Sequence, residues 1–136
     1  MAAPATSGLL ETALYAEDLG AAEAFYAGKL GLPVALKLDG RHIFFRCNET
    51  VLLVFNPAAA EQPSEHPLAA PPHGARGPGH ACLASTDLAA WEDHLAANEI
   101  EIERRIDWPN GARSLYFRDP AGNSLEIAEP TLWTTQ

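Results

Sequence analysis

The chain has 136 residues, enough for one domain with a core of ordinary size and too few for two independent domains. Its 9 Lys and Arg against 18 Asp and Glu give a formal net charge of −9. This balance argues against a nucleic-acid partner, because phosphate binding needs a basic surface. No apolar run approaches the roughly 18 residues of a membrane span, which argues against a membrane partner.

The N-terminal segment and the cysteines indicate the cellular compartment. Residues 1–8 lack the basic and apolar regions of a signal peptide. Cys47 and Cys82 form no CxxC pair, so a disulfide framework or a thiolate zinc site has no support and free buried thiols are expected. We therefore expect a protein of the reducing cytoplasm.

Two stretches of the chain resemble each other. The stretch ETALYAEDLGAAEAFY, which begins at Glu11, aligns without a gap with HACLASTDLAAWEDHL, which begins at His80. In each copy a strand leads to an aspartate, Asp18 or Asp87, that can cap a helix. The apolar residues that follow recur near helical spacing, and Gly31 stands where a C-cap glycine belongs. The chain therefore contains a duplicated unit.

Three β-like runs follow each predicted helix, at residues 33–39, 42–47 and 51–56 and at residues 100–106, 113–118 and 124–128. Pro120 and Gly122 favour a tight turn between the last two runs, which then form a hairpin. The sequence thus predicts an α+β fold of two tandem βαβββ modules, with a cupped mixed sheet and helices on its outer face. The modules cover residues 8–57 and 79–130 of a single domain, 1–136.

The segment between the modules, residues 57–78, holds six of the eleven prolines and little periodicity. It is predicted to be a linker without regular structure. A stretch of this length is typical of a lid, a binding loop or a tether, and its composition leaves these alternatives open. His73 lies within it, and this histidine either folds over a site or stays in solvent.

Alternation along the predicted strands places Glu11, His80 and Glu126 on the sheet face opposite the Leu and Ile side chains. Taken singly, such a histidine is typical of a hydrogen-bonded structural residue and each glutamate of a solvent-exposed one. Glu11 and His80 nevertheless occupy equivalent positions of the repeat, and the equivalent of Glu126 is Leu53. Since a carboxylate among apolar neighbours needs a partner, a metal ion bound by all three side chains is the hypothesis that accounts for them together.

Three segments carry a resemblance to a known superfamily: LETALYAEDLGAAEAFYAGKLGL, GPGHACLA and RSLYFRDPAGNSLEIAEP. Over residues 9–130 the chain resembles the vicinal oxygen chelate superfamily, which includes glyoxalase I, fosfomycin-resistance transferases, extradiol dioxygenases, methylmalonyl-CoA epimerase and bleomycin-resistance proteins. The resemblance implies cup-shaped sheets around one divalent metal ion per site, with Glu11, His80 and Glu126 as ligands. It also implies a homodimer, in which the two halves of a site come from one chain or from two.

The chain departs from parts of this family. Leu53 stands where four-ligand glyoxalases have a fourth protein ligand, which leaves more metal positions open to water or substrate. One histidine with two carboxylates differs from the two histidines and one carboxylate of the dioxygenases, so iron is disfavoured. The oxygen-rich set suits manganese, and its ligand types also admit zinc, nickel or iron.

Further residues have two interpretations each. Tyr116 matches a tyrosine near the metal-bound substrate in the extradiol enzymes, and it either hydrogen-bonds a substrate oxygen or fills the core. Arg113 and His42 either meet an anionic substrate or remain solvated at strand ends. Trp108 either packs in a hairpin loop or lines a pocket rim.

Three functions are compatible with these features. The first is a metal-dependent lyase, isomerase or dioxygenase-like enzyme acting on a small oxygenated substrate, with Glu126 or Glu11 as the base. The second is a metal-free drug-binding protein of the bleomycin-resistance type, for which the charge of −9 suits a cationic drug. The third is an interaction module without a ligand. The three candidate metal ligands favour the first.

Overall fold

The structure is a computed structural model that describes residues 3–65, 67 and 70–134. The described strands form two four-stranded sheets. The first sheet has the order β1-β4-β3-β2 and comprises β1 (Glu11–Tyr15), β2 (Val34–Leu38), β3 (His42–Cys47) and β4 (Thr50–Phe55). The second has the order β5-β8-β7-β6 and comprises β5 (His80–Ala84), β6 (Arg104–Asp107), β7 (Arg113–Arg118) and β8 (Ser124–Ala128). In each sheet the first and last strands pair in parallel and the other pairs are antiparallel, so both sheets are mixed.

The helices begin at the predicted caps. Helix α1 (Leu19–Glu23) runs directly into a π-helical turn, Ala24–Lys29, and Gly31 follows with a φ of 77°. The remaining helices are α2 (Pro57–Ala60), α3 (Leu88–Ala97) and a final 3₁₀ turn, Pro130–Trp133. The Asp18 and Asp87 carboxylates accept backbone N–H bonds at 2.9 and 3.0 Å, as N-cap residues do. Within the described residues, no helix is long and apolar enough to cross a bilayer.

The prediction of two tandem βαβββ modules in an α+β fold is confirmed, and one strand differs in extent. Strand β6 begins at Arg104, whereas the sequence pattern predicted a strand over residues 100–106. The Ile100 N–H instead donates to the Leu95 carbonyl at 2.9 Å and closes α3, and the Ile100 side chain is buried in the core. Ile100 therefore packs into the core at the end of α3 and does not belong to the sheet.

Both modules contribute to one hydrophobic core. Leu14 and Phe45 of the first sheet and Phe117 and Ile127 of the second are buried in it together with the helical residues. The ring of Phe25, from the π-helical turn, lies 6.4 Å from the ring of Phe117, so this helical segment packs between the sheets. Each sheet turns its helix-covered face, the outer face of the predicted cup, to this common core. The opposite, helix-free face points away from the core and is called the outer face below.

A buried polar cluster joins the two modules at the β7–β8 turn. The Asp119 carboxylate accepts hydrogen bonds from the Tyr26 hydroxyl at 2.6 Å and the Asn123 side-chain amide at 2.8 Å. The Asn123 side chain also donates to the Tyr15 carbonyl at 3.1 Å and accepts the Gly79 N–H at 2.7 Å. Asn123 therefore connects the end of β1, the entry to β5 and the hairpin turn.

Replacing Asn123 by alanine is expected to lower the free energy of unfolding by about 3 kcal/mol. Asn123 is fully buried, so its loss leaves the Tyr15 carbonyl and the Gly79 N–H without their side-chain partner. Urea unfolding followed by circular dichroism measures the change. The exposed Asn110, whose side chain also bonds backbone carbonyls, is the matched control, and Asn110→Ala should cost less than about 1 kcal/mol. Equal losses for the two variants would contradict a joining role for Asn123.

The Pro-rich segment is more ordered than the predicted linker at two points. It opens with α2, whose first residue is Pro57, and Asn56 caps this helix by accepting the Ala59 N–H at 3.0 Å. Further along, the His73 N–H donates to the Ala60 carbonyl at 3.0 Å, and His73 Nδ1 lies 2.8 Å from the Tyr15 hydroxyl. The described part of this segment is therefore held against the first sheet.

Candidate metal centre

The outer face of the second sheet brings His80 and Glu126 together. His80 begins β5 and pairs with Ser124 in the parallel ladder to β8, so Glu126, two residues further along β8, lies on the same face. His80 Nε2 is 3.3 Å from Glu126 Oε1. The His80 side chain is 50% exposed and that of Glu126 only 7%, so the pair opens to solvent on the histidine side.

The hydrogen bond at Nδ1 determines whether His80 Nε2 faces Glu126 as a donor or as an acceptor. His80 Nδ1 lies 2.9 Å from the Ser124 carbonyl, which can only accept, so Nδ1 carries the proton. In a neutral ring Nε2 then presents a lone pair towards a carboxylate oxygen. Two acceptors at this distance repel each other unless the ring takes a second proton or a cation lies between them. A histidine oriented by a carbonyl in this way is typical of metal ligands.

A chain of hydrogen bonds orients Glu126. The Ser114 hydroxyl donates to Glu126 Oε2 at 2.6 Å, and the Trp108 indole N–H donates to the Ser114 oxygen at 2.8 Å. Glu126 and Ser114 are both buried, whereas Trp108 is partly exposed. Since Oε2 is held by Ser114, Oε1 is the oxygen that faces His80 and can bind a cation.

Tyr116 and Cys82 complete the surroundings of the pair. Both are ladder partners of Glu126, from β7 and β5 respectively, and the Tyr116 ring lies 6.4 Å from that of His80 with the planes 19° apart. Burial and the Glu126 carboxylate raise the pKa of Tyr116, so its hydroxyl stays protonated and can donate. The same two causes raise the pKa of the Cys82 thiol to about 12, which keeps it a neutral thiol.

The outer face of the first sheet is apolar at the equivalent positions. Leu53 is the ladder partner of Ala13, as Glu126 is of Cys82, so the register agrees with the repeat alignment of Leu53 with Glu126. Around Leu53 the face carries Phe44 and Phe55, and Glu11 lines the same pocket. The first sheet therefore supplies one acidic side chain beside an apolar surface.

Within one chain the three predicted ligands are divided between the sheets. His80 and Glu126 lie together, whereas Glu11 lies on the outer face of the first sheet. Because both sheets pack on a common core, these two outer faces point in different directions. In the described part of the chain, no three His, Cys, Asp or Glu side chains converge closely enough to hold a metal ion.

The structure also shows the surroundings of other residues near the site. Arg113 forms an ion pair with Glu129 at 3.1 Å, as expected of a solvated strand end. Trp108 lies in the hairpin loop between β6 and β7, as expected, and its indole N–H donates to Ser114. Ser114 was missed by the sequence reasoning, although it lies two residues before Tyr116 and alternation places both on the same face of β7.

The paired βαβββ modules and the His–Glu pair on an outer sheet face define a class: small α+β proteins of the vicinal oxygen chelate fold. A family model described as the Glyoxalase/Bleomycin resistance protein/Dioxygenase superfamily matches residues 8–127. The chain belongs to this superfamily, and the resemblance seen in the sequence is confirmed. No protein with a curated function matches the sequence.

Solved structures resemble the chain over nearly its whole length. A lactoylglutathione lyase from Agrobacterium tumefaciens is 46% identical, with a TM-score of 0.88, and the match covers 96% of this chain and 98% of that one. A glyoxalase/bleomycin resistance protein/dioxygenase from Nocardioides is 22% identical, with a TM-score of 0.69 and coverage of 93% and 85%. A glyoxalase family protein from Enterococcus faecalis is also 22% identical, with a TM-score of 0.67 and coverage of 90% and 98%. At 22% identity, the last two similarities show a shared fold and nothing more.

Proposed function

We propose that the protein is a divalent-metal-dependent enzyme of the glyoxalase type that acts on a small oxygenated substrate. The observation that carries this proposal is the facing of His80 Nε2 and Glu126 Oε1 at 3.3 Å, with each side chain held by a separate hydrogen bond. A cation between these atoms would remove their repulsion. Members of the superfamily generally bind a divalent metal, and the imidazole and carboxylate donors fit manganese, zinc, nickel or iron.

The third ligand in this proposal is Glu11 of a partner subunit in a homodimer. Strands β1 and β5 lie at the edges of their sheets, and they carry Glu11 and His80 respectively. Placing the β1 edge of one copy beside the β5 edge of another brings Glu11 to the His–Glu pair. Leu9 and Leu10, just before β1, are 86% and 72% exposed, and such apolar residues at a free edge favour a protein contact.

The side chains of the site have distinct roles in this proposal. A bound divalent ion would supply Lewis-acid stabilisation of negative charge on substrate oxygens. Glu126 Oε1 binds the ion or, when released, accepts a proton from the substrate, while the Ser114 hydroxyl keeps Oε2 in place. The Tyr116 hydroxyl donates a hydrogen bond to a substrate oxygen, because its raised pKa keeps it protonated.

The similarity to a protein named as a lactoylglutathione lyase supports one reaction class over the others. We propose lyase or isomerase chemistry on a substrate that presents neighbouring oxygens. Leu53 replaces the fourth protein ligand that the resemblance to glyoxalases implies. The proposed site therefore has three protein ligands and leaves one more position to substrate or water.

The compartment of this proposed enzyme is the cytoplasm. Cys47 and Cys82 are both free thiols, on different sheets, and they are less buried than expected, because Cys47 is partly buried and Cys82 is an exposed residue. Burial raises the pKa of Cys47 and, with Glu126, that of Cys82, so neither thiol is activated for disulfide exchange. Unpaired thiols of this kind suit a reducing compartment.

A second candidate function is metal-free binding of a small molecule, as the resemblance to the bleomycin-resistance proteins implies. The observation that favours it is the apolar pocket of about 640 Å³ on the first sheet. In this alternative the His80–Glu126 contact is an imidazolium–carboxylate ion pair.

Removal of the metal tests the proposed function. Tag-free protein should contain close to one divalent ion per chain by plasma mass spectrometry, and it should turn over lactoylglutathione. Dialysis against a chelator should abolish both signals, and readdition of one ion should restore turnover. Protein that stays empty after incubation with manganese, zinc, nickel and ferrous iron would exclude the metal enzyme and favour metal-free binding.

A further inference from the structure

The hydrogen-bond chain from Trp108 through Ser114 to Glu126 has a fixed direction. An indole N–H can only donate, and that of Trp108 donates to the Ser114 oxygen at 2.8 Å. The single proton of the Ser114 hydroxyl then points to Glu126 Oε2, which lies 2.6 Å away. Oε2 therefore has a fixed donor within the protein, and Oε1 is the oxygen that faces His80 Nε2 at 3.3 Å.

The loop between β6 and β7 holds the Trp108 indole in place. The Trp108 N–H donates to the Ala112 carbonyl at 2.8 Å, and the Gly111 N–H donates to the Trp108 carbonyl at 2.9 Å. Asn110 Oδ1 accepts the Ala112 N–H at 3.0 Å, and its side-chain amide donates to two carbonyls of the final 3₁₀ turn. The direction of the indole N–H is therefore determined by the loop, before any ion binds.

The first module shows that the fold does not require this chain. Leu53 is the equivalent of Glu126 in the strand registers. His42, two residues before the β3 partner of Leu53, is in the same way the equivalent of Ser114. The first sheet therefore forms without a hydroxyl–carboxylate bond at these positions. Since burial of polar groups is costly unless they are hydrogen-bonded, the buried pair of the second sheet serves its site rather than its architecture.

We propose that Trp108 is a positioning residue of the metal centre: acting through Ser114, it restricts Glu126 to binding a divalent ion through Oε1 alone. The inference rests on the proposed function and adds the mode of ligation. A carboxylate held in this way takes one coordination position, whereas a carboxylate with both oxygens available can take two. Because Leu53 supplies no further ligand, binding through one oxygen keeps the remaining positions open to substrate.

The affinity for Zn²⁺, measured by competition with a chromogenic chelator, tests whether Trp108 acts through Ser114. Zn²⁺ is the probe because sites of this kind bind it more tightly than manganese or ferrous iron. Ser114→Ala should weaken binding by roughly tenfold or more. Trp108→Phe keeps a ring without the N–H and should weaken it by about threefold. The double variant should bind no more weakly than Ser114→Ala, since the indole has no effect once the hydroxyl is gone.

The indole N–H resonances provide a readout that a merely structural role would not change. The chain has three tryptophans, Trp91, Trp108 and Trp133, and the peak that disappears in Trp108→Phe assigns the one of interest. Zn²⁺ should shift this peak in wild-type protein, because an ion on Glu126 draws charge from Oε2 and weakens the bond to Ser114. The shift should be absent in Ser114→Ala. Trp133, which is 85% exposed, is the matched control, and Trp133→Phe should keep the wild-type affinity.

The possible failures of this inference and of the proposed function are distinct. Losses of affinity that add in the double variant, or a Trp108 shift that persists in Ser114→Ala, overturn the inference while the metal centre stands. Wild-type affinity in both single variants does the same. Wild-type protein that binds no Zn²⁺ overturns the proposed function, and this inference with it.

Discussion

Glu126→Gln protein is expected to lose its metal and its turnover of lactoylglutathione, with the apparent metal affinity reduced by more than about a hundredfold. An amide is a neutral and much weaker ligand than a carboxylate, so the ion would lose the buried charge that holds it. Metal content by plasma mass spectrometry and competition with a chromogenic chelator measure the change. His80→Ala is expected to act in the same direction.

The stability of the same variant distinguishes a metal site from a structural ion pair. In the metal-free state at alkaline pH, where imidazole rings are ordinarily neutral, the glutamine amide can donate to His80 Nε2, whereas the wild-type protein opposes two acceptors 3.3 Å apart. Metal-free Glu126→Gln should therefore be at least as stable as metal-free wild type in thermal unfolding. Glu103→Gln, which alters an exposed ion pair with Arg118, is the matched control and should keep the metal. A marked loss of stability in Glu126→Gln with metal content unchanged would assign Glu126 a structural role.

The sequence predicted those parts of the fold that depend on local periodicity. Asp18 and Asp87 recur at equivalent positions because each caps the helix of its module. The repeat alignment made Leu53 the equivalent of Glu126, and the strand registers of the two sheets agree with it. Alternation alone put His80 and Glu126 on one face of the second sheet. These features follow from neighbours along the chain or from one strand ladder, so a single sequence shows them.

Other features depend on how the modules pack, which periodicity does not encode. The common core, with Phe25 against Phe117, sends the two outer faces in different directions and so separates Glu11 from the His–Glu pair. The contact of His73 with Tyr15 likewise joins residues far apart in sequence, and nothing in the Pro-rich composition indicates it. The same separation of faces makes the homodimer a requirement of the proposed site rather than an accessory to it.

Mixing two inactive variants is expected to restore activity if the site is shared between subunits. In a heterodimer of Glu11→Gln and Glu126→Gln chains, one site has both substitutions and the other has neither. Random reassociation makes half of the dimers mixed, so about a quarter of the wild-type metal and turnover should return. The measurement is made after the two proteins are unfolded together and refolded, with each variant refolded separately as the baseline.

The control is a mixture in which both substitutions are on the same chain. In this mixture a shared site predicts a loss of activity rather than a gain. A chain carrying both Glu11→Gln and Glu126→Gln, refolded with an equal amount of wild type, disrupts both sites of every mixed dimer. Only wild-type homodimers then remain active, so turnover should fall to about a quarter of that of the same total amount of wild-type protein. If each site were contained within a single chain, about half of that turnover would remain. Unchanged inactivity in the first mixture together with half activity in the second would place all three ligands in one chain and require the sheets to repack around the common core.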